Sequence, residues 1–225
     1  MEILYHGSDH TIEKPTIQGS KRNNDYGYGF YCTKSFDLAG EWASKSKGEK
    51  CIVNKYSIDL DNLRVLDLTE SKYSILNWLA ILLENRLFTL TSPISIQAKE
   101  YILKNFNVDI SNYDVIKGYR ADDSYFSFAE DFLNNTISVQ HLSKAMKLGK
   151  LGVQYVLISQ RAFDVLKYEG GYEINKDKYF NLFTSRDLKA RNDYASSKID
   201  LSINSKDLYV RDIMREEIKN GDTRL

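Results

Sequence analysis

The chain has 225 residues, 42% of them hydrophobic, and its 31 Lys and Arg residues balance 31 Asp and Glu residues. This composition excludes a disordered chain and predicts a globular protein with one large domain, or one domain with an appendage. With a net charge of zero, the protein as a whole has no electrostatic attraction to nucleic acid or anionic lipid, although local charged patches remain possible.

Cysteine usage and the amino terminus bear on the compartment. The two cysteines, Cys32 and Cys51, stand at no metal-binding spacing, which favours a reduced cytoplasmic protein without a metal. The first residues lack the basic and apolar pattern of a signal peptide, and the most apolar stretch, residues 78–83, is too short to span a bilayer. We therefore expect a cytoplasmic protein with no membrane partner.

The predicted strands and helices are unevenly mixed along the chain. Short runs rich in Val, Ile, Leu, Tyr and Phe predict six strands, at residues 2–6, 29–33, 51–58, 64–68, 113–118 and 153–158. Helical periodicity, with serine at several N-cap positions, predicts helices at residues 35–46, 71–88, 95–105, 124–134, 138–148 and 160–167. Because residues 71–150 are mostly helical and interrupt the strands, we predict an α+β fold rather than regular alternation.

The composition changes near residues 168–171, where two adjacent glycines follow Tyr168 and Glu169. Beyond them, residues 172–225 are polar and strongly charged, with an amphipathic helix predicted over residues 210–217. We predict one domain over residues 1–170 and a C-terminal extension over residues 171–225 that packs on it or binds a partner. A solvated segment of paired charges is the plainer alternative.

Two glycine-bearing strand ends lie near the start of the chain. The first is LYHGS at residues 4–8, and the second is DYGYGFYCT at residues 25–33. Glycine at a strand end lets the backbone turn, or lets another group approach closely. A flat heteroaromatic ring needs a face for stacking and a hydrogen-bonding edge for its amide, and these two segments offer both.

These segments resemble the ADP-ribosyltransferase superfamily, in its His-Tyr-Glu branch of diphtheria-toxin-like and poly-ADP-ribose-polymerase-like enzymes, and within it a bacterial family of uncharacterised domains. In that branch a first strand ends in His-Gly, which His6 and Gly7 match. The resemblance implies that the histidine contacts a ribose hydroxyl and that the glycine backbone holds the nicotinamide amide. It covers roughly residues 3–168.

The second strand of that branch reads Gly-x-Gly-x-Tyr, which Gly27, Gly29 and Tyr31 match. The resemblance implies that the tyrosine packs against the nicotinamide ring. A further aromatic residue, eleven positions later on the next helix, encloses the ring from the other side, and Trp42 stands there.

The third position of the triad departs from the family pattern. Its glutamate opens a late strand, and the best local match, GVQYVLI at residues 152–158, has Gln154 instead. A glutamine carbonyl can accept a hydrogen bond from the ribose, but it carries no negative charge and cannot take a proton. It should therefore stabilise the cation-like transition state less well. Gly152 also removes the Glu-x-Glu spacing of arginine-modifying enzymes, which disfavours arginine as the acceptor.

Together these matches imply a split β-sheet of about six short strands with a helical insertion, and NAD as co-substrate without a metal. They place the catalytic residues at His6, Tyr31 and Gln154. They place the NAD-binding residues at His6, Gly7, Ser8, Tyr28, Gly29, Tyr31, Thr33 and Trp42. The implied activity is transfer of one ADP-ribose to a protein or nucleic-acid acceptor, by a bacterial or phage toxin, effector or defence protein that an antitoxin or regulatory protein could control.

Other interpretations stay open. A catalytically weak or inactive NAD-binding module would keep the same pocket, with Gln154 as the mark of lost turnover. A partner-regulated protein would use residues 172–225 for recognition. Each aromatic site residue also has a purely structural interpretation. His6 can be a hydrogen-bonded structural histidine, and Tyr31 and Trp42 can be core residues.

Overall fold

The structure, a computed structural model, describes residues 1–121, 123–148, 152–199 and 206–225. These residues form seven strands and eight helices. The strands are β1 (Glu2–Ser8), β2 (Phe30–Thr33), β3 (Ile52–Ile58), β4 (Val65–Asp67), β5 (Val115–Tyr119), β6 (Val153–Leu157) and β7 (Lys167–Glu173). The helices are α1 (Phe36–Ser44), α2 (Ile75–Asn85), α3 (Pro93–Phe106), α4 (Asp123–Leu133), α5 (Val139–Ala145), α6 (Gln160–Val165), α7 (Lys176–Ile199) and α8 (Val210–Arg215).

The strands form one mixed sheet in the order β4-β5-β6-β2-β1-β3-β7. The edge pair β4–β5 is parallel and the other pairs are antiparallel. The predicted α+β class is confirmed, and each of the six predicted strands has a counterpart. Strand β7 and helix α7 are additional elements that the sequence did not predict.

The sheet is nearly divided between β1 and β2. These two strands share a single residue pair, Tyr5 with Thr33. By contrast, β1 pairs with β3 along all seven of its residues, and β2 pairs with β6 along all four of its residues. The strands therefore diverge on one side of the Tyr5–Thr33 pair. There, the His6 side chain rather than a second backbone ladder bridges the gap, through a 2.7 Å contact with the Tyr31 carbonyl.

The main core lies around helix α2, whose residues from Ile75 to Leu83 are all buried. Ser74 caps this helix, and apolar residues surround it on every side, as expected for a helix enclosed by other elements. The most apolar stretch of the sequence is thus a central core helix. None of the helices in the described ranges combines the length and the hydropathy that a membrane span requires.

The C-terminal residues pack against the rest of the chain. The predicted boundary after residue 170 falls inside β7, which pairs with β3 and so belongs to the sheet. Helix α7 lies against α1, where Arg186 makes a buried ion pair with Glu41 at 2.6 Å. Helix α8 lies against α3, and the Tyr101 hydroxyl donates to the Ile218 carbonyl just beyond it.

Candidate functional site

A cavity of about 750 Å³ opens where β1 and β2 diverge. Its walls come from the end of β1, the segment that leads to β2, the start of β2, and the end of α1. Single residues from β6 and from just beyond α2 and β5 complete them. Seven of the predicted site residues line it: His6, Gly7, Ser8, Gly29, Tyr31, Trp42 and Gln154. The fold therefore brings the three predicted catalytic positions to one cavity, although they are far apart in the sequence.

Two predicted NAD-binding residues lie outside this cavity. The Tyr28 side chain is 52% exposed at the surface. Thr33 is buried in β2, where its hydroxyl accepts a hydrogen bond from the Ser35 amide at the start of α1. Their described surroundings give neither residue a contact with the cavity.

His6 presents one ring nitrogen as an acceptor. Its Nδ1 lies 2.7 Å from the Tyr31 carbonyl, and because a carbonyl can only accept, Nδ1 carries the proton. Burial, helped by nearby His10, lowers the pKa of His6 below its usual value, so the ring is neutral at pH 7. The ring stacks on Phe30 with centroids 4.4 Å apart. Its Nε2 consequently carries a lone pair.

Tyr31 and Trp42 form an aromatic corner of the cavity. Their ring centroids are 6.5 Å apart in an edge-to-face arrangement, and the Arg120 guanidinium lies 4.2 Å from the Trp42 ring. The Tyr31 hydroxyl donates to the Gly27 carbonyl and accepts from the Tyr26 amide. Gly27 has a φ of +73°, which favours glycine. The Tyr31 hydroxyl is thus hydrogen-bonded within this turn, and the aromatic ring of Tyr31 is the part available for ligand contact.

The glycines of the two motifs have a packing role. A Cβ on Gly7 would lie 1.9 Å from the Ala39 carbonyl oxygen and 2.7 Å from the Ala43 amide nitrogen, both in the backbone of α1. A Cβ on Gly29 would lie 2.5 Å from a side-chain carbon of β6. Glycine at position 7 therefore lets α1 approach β1 closely, and this approach places Trp42 beside the cavity.

Gln154 has a fixed orientation and one unpaired atom. It sits in β6 opposite Thr33 and Gly118, and its side chain is buried with 1% exposed. Its Nε2 donates to Asp25 Oδ2 at 3.1 Å and to the Tyr119 carbonyl at 3.2 Å. Both of these oxygens act as acceptors, so together they turn the amide nitrogen toward them. Gln154 Oε1 has no hydrogen-bond partner among the described residues.

Asp25 is a cavity residue to which the sequence analysis gave no role. Its carboxylate is buried, and Oδ2 also accepts from the Ala121 amide at 3.0 Å. Its Oδ1 lies 3.4 Å from Arg86 Nε. Burial raises the pKa of this carboxyl, against the lowering effects of the Ala121 hydrogen bond and of Arg86. One sequence signal was present, since an acidic residue opens the second glycine motif.

The lining of the cavity carries an excess of positive charge. Four basic side chains line it, Lys14, Lys21, Lys45 and Arg86, whereas Asp25 is the one acidic residue among the described residues of the lining. This excess of cations favours an anionic ligand such as a diphosphate. Within the described ranges, no group of three His, Cys, Asp or Glu side chains is arranged to hold a metal ion.

The segment between β1 and β2, which carries two of these lysines, is fastened to the sheet by Asn54. Asn54 Nδ2 donates to Ser8 Oγ at 2.8 Å and to the His10 carbonyl, and Asn54 Oδ1 accepts from the Ile12 amide at 2.9 Å. The Ser8 hydroxyl in turn donates to the His10 carbonyl at 2.6 Å. Ser8 therefore holds this wall of the cavity in place.

A sequence model of a family described as a protein of unknown function (DUF3990) matches residues 2–168. The chain belongs to the DUF3990 family. In this DUF3990 protein the matched region runs from β1 to the start of β7 and contains each described residue that lines the cavity. No curated protein and no solved structure matches the chain.

Proposed function

We propose that this DUF3990 protein is an NAD-dependent mono-ADP-ribosyltransferase of the His-Tyr-Glu type with glutamine in the third position. The observation that carries the proposal is that His6, Tyr31, Trp42 and Gln154 line one cavity, and that the buried Gln154 Oε1 has no hydrogen-bond partner among the described residues. Each feature matches a different part of a nicotinamide nucleotide.

The cavity suits the chemical groups of NAD. Ribose hydroxyls are hydrogen-bond donors, and His6 Nε2 and Gln154 Oε1 are the acceptors that would meet them. Nicotinamide is a flat ring, and the aromatic corner of Tyr31 and Trp42 offers faces and edges for it. The diphosphate would lie toward the basic side chains of the cavity lining. The volume of about 750 Å³ is within the usual range for ligand sites.

The transfer would break the bond between nicotinamide and ribose and join the ribose to an acceptor nucleophile. Gln154 Oε1 would accept a hydrogen bond from the ribose 2′-hydroxyl, and this bond would strengthen as positive charge develops on the sugar. Because a glutamine lacks the charge of a glutamate, we expect turnover that is slower by about a hundredfold. Glutamine also cannot accept a proton, so the acceptor needs to be one that reacts without a base at position 154.

The proposal extends to the setting of the enzyme. It would act in the cytoplasm as a toxin, effector or defence protein, on a protein or nucleic-acid acceptor, under the control of an antitoxin or regulatory protein. A second candidate is an NAD-binding module without turnover. The absence of a free carboxylate favours it, since the one acid in the described lining, Asp25, already binds Gln154 and the Ala121 amide.

Labelled NAD tests the proposal. The purified protein is incubated with NAD labelled in its adenylate phosphate and with a cell lysate, and both transferred label and released nicotinamide are measured. We expect transfer by the wild-type protein and none by Tyr31→Ala. The matched control, Tyr28→Ala, should keep full transfer because its ring lies at the surface outside the cavity.

The possible results separate the two candidates. NAD binding without nicotinamide release would support the module. A wild-type protein that neither binds NAD nor releases nicotinamide would overturn both candidates. Circular dichroism of each variant checks that it is folded.

A further inference from the structure

Asp25 and Gln154 form a buried pair whose geometry bears on the missing glutamate. Asp25 Oδ2 accepts from Gln154 Nε2 at 3.1 Å, and both side chains line the cavity. The carbonyl oxygen of Gln154, Oε1, is buried and has no hydrogen-bond partner in the described part of the chain.

We propose that Asp25 is a positioning residue that fixes the Gln154 amide, so that Oε1 is the acceptor for a ribose hydroxyl of the ligand. This inference rests on the proposed function. It means that glutamine at position 154 is the residue that this site requires, rather than a decayed catalytic glutamate.

The surroundings of Gln154 Nε2 demand a donor at that point. Its two neighbours are a carboxylate oxygen of Asp25 and the carbonyl oxygen of Tyr119. The Tyr119 carbonyl is itself fixed, because it also accepts from Tyr26 Oη at 2.7 Å and from Trp78 Nε1 at 3.0 Å. A glutamate side chain would place oxygen against both acceptors, whereas glutamine satisfies both with one amino group.

Asp25 is held firmly enough to orient another side chain. The Ala121 amide donates to the same oxygen that Gln154 contacts, and Arg86 Nε lies 3.4 Å from the other oxygen. Arg86 in turn donates to the Asn23 carbonyl at 2.7 Å. Without the carboxylate, the Ala121 amide would lack its acceptor and would compete for Gln154 Oε1, drawing this oxygen away from the ligand.

The test measures discrimination between two ligands. Binding of NAD is compared with binding of an NAD analogue that lacks the 2′-hydroxyl of the nicotinamide ribose. We expect the wild-type protein to prefer NAD by at least about tenfold, because the analogue leaves a buried acceptor unpaired. In Asp25→Ala the preference should fall to about onefold, with affinity for the analogue changed by less than about twofold.

Three further variants separate positioning from general damage. Asp25→Asn should keep the preference, because the oxygen of the introduced amide can still accept from Gln154 Nε2 and from the Ala121 amide. Gln154→Leu should lose it, since the acceptor at position 154 is removed. Asp114→Asn is the matched control, a buried carboxylate outside the cavity that accepts from Arg64 and Ser159, and it should keep the wild-type preference.

The outcomes distinguish the inference from the function on which it rests. A wild-type protein that does not bind NAD overturns the proposed function, and the inference with it. A wild-type protein that prefers NAD, together with an Asp25→Ala variant that keeps the preference, overturns the inference alone. If Asp25→Ala does not fold, Asp25→Ser takes its place, because the shorter hydroxyl cannot reach Gln154 Nε2, and the same loss of preference is expected.

Discussion

At the scale of single residues, the polar atoms of the cavity that already form hydrogen bonds within the protein determine which atoms remain for a ligand. His6 Nδ1 is bound to the Tyr31 carbonyl, the Tyr31 hydroxyl is bound to the Gly27 turn, and Gln154 Nε2 is bound to Asp25 and to Tyr119. What these residues leave for a ligand is a lone pair on His6 and the carbonyl oxygen of Gln154. Both of these atoms accept hydrogen bonds, so they match hydrogen-bond donors on a ligand.

Introducing glutamate at position 154 should destabilise the protein. Gln154→Glu would place a carboxylate oxygen against Asp25 and against the Tyr119 carbonyl, so we expect the free energy of unfolding at pH 7 to fall by about 3 kcal/mol. NAD turnover should not increase. Urea denaturation measures the first effect, and nicotinamide release measures the second.

The control for this change is Gln18→Glu, the same substitution at an exposed position, which should alter stability by less than about 0.5 kcal/mol. A stable Gln154→Glu protein with faster turnover would contradict the interpretation of the pair.

Protonation of His6 should destabilise the fold in mild acid. Because burial lowers the pKa of His6 relative to its value of about 6.5 in the unfolded chain, the neutral ring contributes stability that is fully present above pH 6.5 and is lost as the pH falls through the lower folded-state pKa. Unfolding free energies measured from pH 7.5 down to pH 5 should show this decline.

His6→Asn should remove the part of the decline that His6 causes, whereas His10→Asn, at an exposed neighbour, should retain most of it. Equal slopes in the wild-type and His6→Asn proteins would show that His6 titrates normally.

At the scale of elements, the contact between β1 and α1 decides where the aromatic wall stands. Gly7 allows the α1 backbone to lie against β1, and Trp42 near the end of α1 then reaches the cavity lining beside His6, with ring centroids 6.4 Å apart. The packing of β1 against α1 therefore requires Gly7 whether or not a ligand is bound.

Gly7→Ala tests this contact. The new methyl group would overlap the α1 backbone, which no side-chain rotation can relieve, so we expect a loss of about 2 to 3 kcal/mol in the free energy of unfolding. The matched control is Gly19→Ala, on the same cavity, whose Cβ would meet no atom within 4 Å and whose stability should stay within about 0.5 kcal/mol of wild type. Urea denaturation measures the free energy of unfolding of both variants. Similar values for Gly7→Ala and Gly19→Ala would show that α1 can move away from β1.

The elements also show what the sequence could and could not predict. The six predicted strands were recognisable because each is a compact run of β-branched and aromatic residues. Strand β7 was missed because its adjacent glycines, 170 and 171, are typical of a turn, yet they pair with Lys55 and Asn54 of β3. Helix α7 was missed because its charged residues are spread around the helix without an apolar stripe.

The same limit applies to the site. His6, Tyr31 and Trp42 lie in motifs with a fixed spacing, so the sequence could place them together. The role of Asp25 depends on Gln154, which is 129 positions away and reaches it only through the pairing of β6 with β2. A contact set by tertiary structure leaves no local pattern in the sequence.

At the scale of the whole molecule, the polar C-terminal residues stabilise the element that carries the aromatic wall. Helix α7 packs along α1, the Tyr179 ring covers Gly40, and the Tyr179 hydroxyl donates to Asp37 at 3.1 Å. Helix α1 packs against the paired strands β1 and β3 and also against α7, so α7 is its second support.

Breaking the buried ion pair between α7 and α1 tests how much α7 stabilises α1. Arg186 donates to one oxygen of Glu41 through both Nε and an Nη atom, at 2.8 and 2.6 Å, and both side chains are mostly buried. Glu41→Ala would leave the guanidinium buried without this carboxylate, so we expect the free energy of unfolding to fall by about 3 kcal/mol. The exposed pair on the same helix, Lys189 with Asp193 at 2.6 Å, is the control, and Lys189→Ala should lower stability by less than about 0.5 kcal/mol. Similar small losses in the two variants would mean that the ion pair does not stabilise the contact between α7 and α1.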